Sequence, residues 1–499
     1  MRMEPEPPKT ADPIGRAKLL LSQERSASSA GASPSRKGWV WSVLVCLVVQ
    51  VYGTPPNFLV IVTDDQRPDT IGALGNPRIN TPNLDWLVKN GQSWSNFVCA
   101  NPLCVPSRAE ILTGTTGFRN GVLGMGRERM DPKLTLWPAA MTEGGYHAWY
   151  CGKWMNDGQP TMRGYQETRA LFSSGGGTWK KDQVVKGRKG RPITGYRNWT
   201  FKDAQGKPDL EKGIGLTPLT DRHIADGALA FLKRKTDRPF FLHVNFTGPH
   251  DPLVYPPGYA KKYTAAKMKL PANFMPRHPF DHGNFEGRDE KLLPWPRTRG
   301  DVLDELAVYY AVIDHIDKQV GRLLDQLRAD DRLENTYVIY TSDHGLAVGS
   351  HGLMGKQNMY DHSIRVPFLI AGPGIAKGQR VPAFGYLRDL YPTVCELAGL
   401  AIPESVQSQS LAGILKGEQH NVHAFATGYF RDVQRMIWVE EWKLVYYPKL
   451  DQMQLFNLAD DPHELNDLAR SPVRKVRLDR MRRSLNQWFH DQGDPLFLQ

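Results

Sequence analysis

The sequence predicts an α/β fold, with a largely parallel sheet covered by helices on both faces and a smaller region of short strands after it. Three observations carry this. Apolar runs of strand length recur and alternate with stretches of helical periodicity, as expected when helices form the crossovers of a parallel sheet. Each run is closed by polar or glycine-rich residues that end a strand. After about Ile402 the alternation gives way to short strands and one basic terminal helix.

Taken in order, the first 36 residues are rich in Pro, Ser, Ala and charge without periodicity, and read either as disordered or as an over-extended gene start. Arg36-Lys37 then precedes an uncharged run from Trp39 to Tyr52 that ends Val51-Tyr52-Gly53. Its length and flanks fit a signal peptide cleaved near Gly53, so a secreted or periplasmic protein is expected, meeting the membrane only through that segment. Strands are expected at 57–63, 146–151, 240–246, 336–341 and 366–371, and helices at 82–90, 106–113, 221–235 and 302–328. Beyond them come short strands at 424–429, 436–439 and 443–447 and a helix from about 472. The domains expected are an extension with signal at 1–53, a catalytic α/β domain at 54–401 and a C-terminal subdomain at 402–499.

The formal net charge of +11 suits an enzyme of anionic substrates, whose local concentration a positive field raises. A nucleic-acid partner is not expected, because the chain carries no recognisable reading element. Lys180, Lys181, Lys186, Arg188, Lys189 and Arg191 face only Asp182 in a glycine-rich stretch, which either flanks a polyanionic glycan or is a solvated loop. Of five cysteines, Cys46 lies in the signal segment and Cys104 in a motif, leaving Cys99, Cys151 and Cys395 at no recognisable spacing. A disulfide framework is therefore not expected, and these three read as buried small apolar side chains.

The chemistry-bearing residues fall just after expected strands, and in an open α/β sheet those carboxyl ends converge on the ligand site. They are Asp64-Asp65, Lys153 in Gly152-Lys153-Trp154, His250 in Gly248-Pro249-His250-Asp251-Pro252, and Asp343-His344. Three carboxylates, Asp64, Asp65 and Asp343, suit a hard divalent ion, Ca²⁺ or alternatively Mg²⁺. Cys104, in Cys104-Val105-Pro106-Ser107-Arg108, stands at the start of a helix, where free N–H groups favour an anion. Gly355-Lys356 and Gln454-Leu455-Phe456-Asn457 complete the series.

On these motifs the chain resembles the formylglycine-dependent sulfatases of the alkaline-phosphatase superfamily, and most of all the iduronate-2-sulfatase and arylsulfatase-like exported sulfatases. The resemblance implies a large mixed, mostly parallel sheet sandwiched by helices, with a small antiparallel C-terminal sheet beside it. It implies a sulfuric ester hydrolase acting on the O-sulfate esters of a sulfated carbohydrate. Cys104 would be oxidised to formylglycine by a formylglycine-generating enzyme, and its hydrated form would attack sulfur. Arg108 would support that nucleophile, Lys153 and Lys356 would contact the sulfate, and His250 would protonate the leaving alcohol. Asp64, Asp65, Asp343, His344 and the modified Cys104 would hold the metal, His344 being the unusual partner for Ca²⁺.

One position departs from the family: Met155 follows Gly152-Lys153-Trp154 where a histidine is common. A thioether takes no proton, so Asp343, a metal-linked water, or a histidine such as His147 or His243 would have to act instead. Two alternatives stay open: a phosphate or phosphonate ester hydrolase with the same site, and a noncatalytic relative that binds sulfated glycans. The long polar segments 163–219 and 252–298 carry Trp179, Trp199, Tyr255, His278, His282 and Trp295, which either stack on sugar faces or pack within loops.

Overall fold

The computed structural model describes residues 54–498 apart from 127, 178–186, 192 and 204. The expected extension and signal segment, Trp179, Lys180, Lys181, Asp182 and Lys186 lie outside the described residues.

Ten strands form the main sheet: β1 Asn57–Thr63, β2 Gln92–Val98, β3 His147–Trp154, β4 Glu167–Ser174, β5 Trp199–Lys202, β6 Pro208–Ile214, β7 Phe240–Asn245, β8 Thr336–Ser342, β9 Phe368–Ala371 and β10 Gln379–Tyr386. Their order is β10-β2-β9-β8-β1-β7-β3-β4-β5-β6. The central run β8-β1-β7-β3-β4 is parallel throughout, and antiparallel pairings enter through β9 on one side and β5 and β6 on the other.

β1 shows why the sheet is sandwiched. All seven of its residues are buried, so neither face meets water. Side chains alternate between faces with period two, and Phe58, Val60 and Val62 enter one core while Leu59 and Ile61 enter the other. The first core is closed by helices Cys104–Thr113, Trp137–Glu143 and Leu390–Leu397 through Ile111, Trp137 and Val394. The second is closed by Pro82–Asn90, Thr220–Leu232 and Arg299–Ala329 through Leu87, Phe231 and Ile316. Each such side chain contributes about 1.5–3 kcal/mol by leaving water.

The C-terminal region is a four-stranded antiparallel meander of β11 Ala426–Phe430, β12 Gln434–Val439, β13 Trp442–Tyr447 and β14 Gln452–Asn457, with helix Lys475–Asp491 against it. It shares a core with the main sheet, in which Val98, Leu103 and Phe384 meet Met436, Trp438 and Leu444. The Tyr429 amide donates to Ala100 O at 2.8 Å.

Several boundaries moved. The strand expected at 146–151 continues to Trp154, so Lys153 lies inside it. The helix expected from 106 begins at Cys104, and the strand expected at 366–371 is only Phe368–Ala371 and antiparallel to both neighbours. β2, β4, β5, β6, β10 and β14 were not expected. β6 has no fully buried residue, and β2 and β10 carry polar residues at buried or edge positions, so their apolar runs are weak. Cys99, Cys104, Cys151 and Cys395 are all free and buried.

Candidate active site

The site grows from the carboxyl ends of neighbouring strands. β1 and β8 end level, with Thr63 opposite Ser342. Both chains leave the sheet while still tied to it: Asp343 N donates to Thr63 O and Asp64 N to Gly248 O, each at 3.1 Å. Extended residues would send adjacent side chains to opposite faces. Asp65 instead adopts φ 71, and Asp64, Asp65 and His250 place ligand atoms within 4.8 Å of one another. In β3, Gly152 has φ 98, and a Cβ there would lie 2.0 Å from Asn245 O. Only glycine fits between β3 and β7 at that point, immediately before Lys153.

Cys104 opens its helix with Sγ 3.5 Å from Asp64 Oδ1 and 3.2 Å from His344 Nε2. Asp64, Cys104, Asp343 and His344, all buried, place their donor atoms within 4.8 Å of one another. Lys153 Nζ bonds Asp64 Oδ2. Lys356 Nζ reaches Asp65 at 3.0 Å and Asp289 at 3.6 Å. Arg108 donates from Nε to Asp343 Oδ2 at 2.9 Å and from Nη1 to Asn245 Oδ1, and Ser107 Oγ donates to Asp343 O at 2.7 Å. His344 Nδ1 lies 2.9 Å from Asp65 Oδ1. His250 is fixed through Nδ1, 2.6 Å from Asp251 O, while its Nε2 lies 3.9 Å from Asp65 and 3.2 Å from Arg288.

The sequence-derived site residues therefore meet in one buried cluster. Burial and Asp64 push the Cys104 thiol up, but Lys153, Lys356 and His344 outweigh them and hold it well below the usual thiol range. Burial and the neighbouring Asp64 carboxylate instead push Asp343 up to about 6. Burial works against a charged His250, yet Asp251, Asp65 and Asp64 overcome it and raise this imidazole to about 10. Burial pushes Asp64 and Asp65 up as well, but Lys153 and Lys356 respectively outweigh it and hold both below the usual carboxylate range, so Asp343 beside Asp64 is the carboxylate whose crowding a divalent cation would relieve. The oxygen-rich set of Asp64, Asp65 and Asp343 fits a hard ion, with His344 and Cys104 as the softer members beside it.

Cys104, Lys356 and His250 open onto a cleft of about 710 Å³, whose walls include Met155, Tyr196, Trp199, Phe285, Arg288 and Arg431. Of the histidines considered in place of Met155, neither lines this cleft. His147 starts β3, at the opposite end from Lys153, and stacks on Trp149. His243 is sealed in the core, hydrogen-bonded to Tyr165 at 2.7 Å. Among the aromatic residues considered for sugar stacking, Trp199 faces the cleft. His278 and His282 are buried, bonded to Tyr360 and Gln434 respectively. Trp295 is packed on Arg297 and Phe285, and Tyr255 donates to Tyr263 O. The described part of the basic cluster is neutralised, since Arg188, Lys189 and Arg191 pair with Asp301, Asp304 and Glu305 of helix Arg299–Ala329.

The motifs did not reveal Tyr196, Asn245, Arg288 or Asp289, all of which touch the cluster. Asn245 had a detectable signal, being a polar residue at the carboxyl end of an apolar strand. Tyr196 and Arg288 come from long irregular segments whose path the sequence does not show.

Comparison with known proteins adds three findings. The family model "Sulfatase" matches residues 56–400, and the model "N-sulphoglucosamine sulphohydrolase, C-terminal" matches 349–491. An arylsulfatase of Clostridium perfringens is 29% identical over 86% of this chain and 93% of its own, and a choline-sulfatase of Rhizobium meliloti is 28% identical over 84% and 83%. In fold, the chain is similar to a protein solved with its substrate D-glucosamine-2-N,6-O-disulfate (TM-score 0.71, 22% identity, 89% of this chain and 99% of that one). It is also similar to a phosphonate monoester hydrolase of Silicibacter pomeroyi (TM-score 0.72, 21% identity, 88% and 96%).

Proposed function

The chain belongs to the sulfatase family and is a sulfuric ester hydrolase, and from that premise we propose that it removes O-sulfate from a sulfated carbohydrate outside the cytoplasm, using Cys104 as the precursor of its nucleophile. The observation that carries this reading is the setting of Cys104: the first residue of a helix, beside Asp64 and His344, on the floor of an open cleft that Lys356 and His250 also line. A relative from Formosa agariphila, 29% identical, is named an ulvan-active sulfatase, which supports a glycan substrate.

Asp64, Asp65, Asp343 and His344 would hold the cation, which would supply Lewis-acid polarisation of a sulfate oxygen. Oxidation of Cys104 by a formylglycine-generating enzyme would supply a hydrated aldehyde whose oxygen is the nucleophile. The remaining work falls to the chain's own side chains. Lys356 on the cleft wall, and Lys153 buried behind it against Asp64, would supply positive charge where sulfate charge shifts, in a setting with little water to screen them. Arg108 holds Asp343 and anchors the first turn of the nucleophile helix to β7 through Asn245. His250, its Nδ1 turned to Asp251, is positioned to give an Nε2 proton to the departing alcohol oxygen. Export rests on the uncharged run before Gly53.

The test pairs peptide mass spectrometry of Cys104, in protein produced with a formylglycine-generating enzyme, with assays on the sulfate and phosphate esters of one alcohol. Conversion of Cys104 together with faster release of sulfate is the expected result. Faster phosphate release, or turnover unchanged in Cys104→Ala, would overturn it.

A further inference from the structure

We propose that Tyr196 is a positioning residue of this site, holding the Asp64 carboxylate between the nucleophile position and Lys153 and fixing the wall against which His250 stands. Its hydroxyl donates to Asp64 Oδ2, the same oxygen that Lys153 Nζ contacts, while the other oxygen, Oδ1, lies 3.5 Å from Cys104 Sγ. The Tyr196 ring carries the Lys153 ammonium 5.3 Å from its centroid and stands edge-on to the His250 imidazole at 4.7 Å. One side chain from a long loop thus touches three members of the cluster. Met155, also on the cleft wall, offers no hydrogen to donate there.

The backbone is arranged to deliver this ring. Tyr196 adopts φ 55, a left-handed conformation uncommon for a bulky residue, which persists only where its surroundings impose it. Before it, Gly195 presses so closely on Asp251 that a Cβ would lie 2.6 Å from Asp251 O. Thr194 Oγ1 donates to Asp251 Oδ2 at 3.0 Å, and Arg288 grips that same carboxylate at 2.9–3.0 Å. The aspartate that orients His250 therefore also anchors the segment that brings in Tyr196. Behind the ring, Phe172 and Trp199 pack at 5.8 and 4.9 Å, so the hydroxyl has little freedom to wander.

The kinetic part of this inference rests on the sulfatase reading, whereas its metal part rests on geometry alone. Tyr196→Phe keeps the ring and removes only the donor. In matured protein, Ca²⁺ titration by calorimetry should show the dissociation constant of Tyr196→Phe weakened about tenfold or more, the scale for losing a partner that orients a ligand. Its metal-free melting temperature should stay with the wild type, and sulfate release should lose kcat about tenfold with KM nearly unchanged. Tyr196→Leu should lose the ring contact to His250 as well and fall further in kcat. Unchanged Ca²⁺ affinity and kcat in Tyr196→Phe would overturn the inference, as would a melting temperature lowered in parallel with both, which would make the role one of folding. If the wild type binds Ca²⁺ yet releases no sulfate from any ester, the sulfatase reading fails while the calcium comparison still decides the role of Tyr196.

Discussion

Arg108 ties its helix to two strand ends at once, with Nε on Asp343 after β8 and Nη1 on Asn245 at the end of β7. A lysine would retain the charge but not the planar fork that spans both acceptors. Arg108→Lys should therefore lower kcat about a hundredfold and stability by about 3 kcal/mol, read from sulfate release and urea unfolding. His243 makes a different prediction. Burial, with Arg108 nearby, holds it neutral down to about pH 3, against about 6.5 in the unfolded chain. The unfolded state then binds the extra proton, so the stability His243 provides is complete above pH 6.5 and declines as pH falls toward 3, by up to about 1.4 kcal/mol per unit. His243→Phe should flatten the stability curve across that window, as measured by urea midpoints at successive pH values. At this scale the sequence was most informative where a reactive residue directly follows an apolar strand, as with Asp64, Asp65 and Asp343. It was silent about Tyr196, whose place depends on how Gly195 packs against Asp251, a contact between segments far apart in the chain.

Among the elements, β3 has the most demanding construction. It pairs with β7 on one side and β4 on the other, with an irregular register beside β4 between Cys151 and Gly152. Any side chain at position 152 would drive β3 away from Asn245 and carry Lys153 with it. Gly152→Ala should lower stability by about 3 kcal/mol in urea unfolding and reduce sulfate release together with it, because a left-handed backbone and a backbone clash coincide there. The central strands were legible because burial on both faces makes them continuous apolar runs. β5 and β6 were not, since they lie at the outer end of the sheet with charged residues such as Asp209, Glu211 and Lys212. The nucleophile helix was expected two residues late, Pro106 suggesting a first turn that in fact begins at Cys104.

For the molecule as a whole, the two sheets are not independent parts. Tyr429 of β11 bonds Gly117 N at 2.7 Å and the Glu110 carboxylate, and Arg388 meets that same carboxylate at 3.2 Å. Glu110 lies on the helix that begins with Cys104. A chain ending at residue 401 would expose Val98, Leu103 and Phe384, and should be found in the insoluble fraction on expression, whereas a chain of residues 54–499 should stay in the soluble fraction. Chelation by EDTA should abolish sulfate release and lower the melting temperature, and excess Ca²⁺ should restore both, with about 2.7 kcal/mol regained at a hundred times the dissociation constant.

The pairing of β1 with β7 and β8 also has a consequence in time. β1 is the first strand of the sheet to leave the ribosome, yet both its neighbours are made much later, with Asp65 and Asp343 separated by 278 positions. At about 5–20 residues per second of synthesis, a segment apolar between its Asn57 and Thr63 ends waits tens of seconds for its second partner. During that interval it is a sticky, unpaired ribbon, and yields in a cell should depend on whatever shields nascent chains far more than on the stability of the finished enzyme.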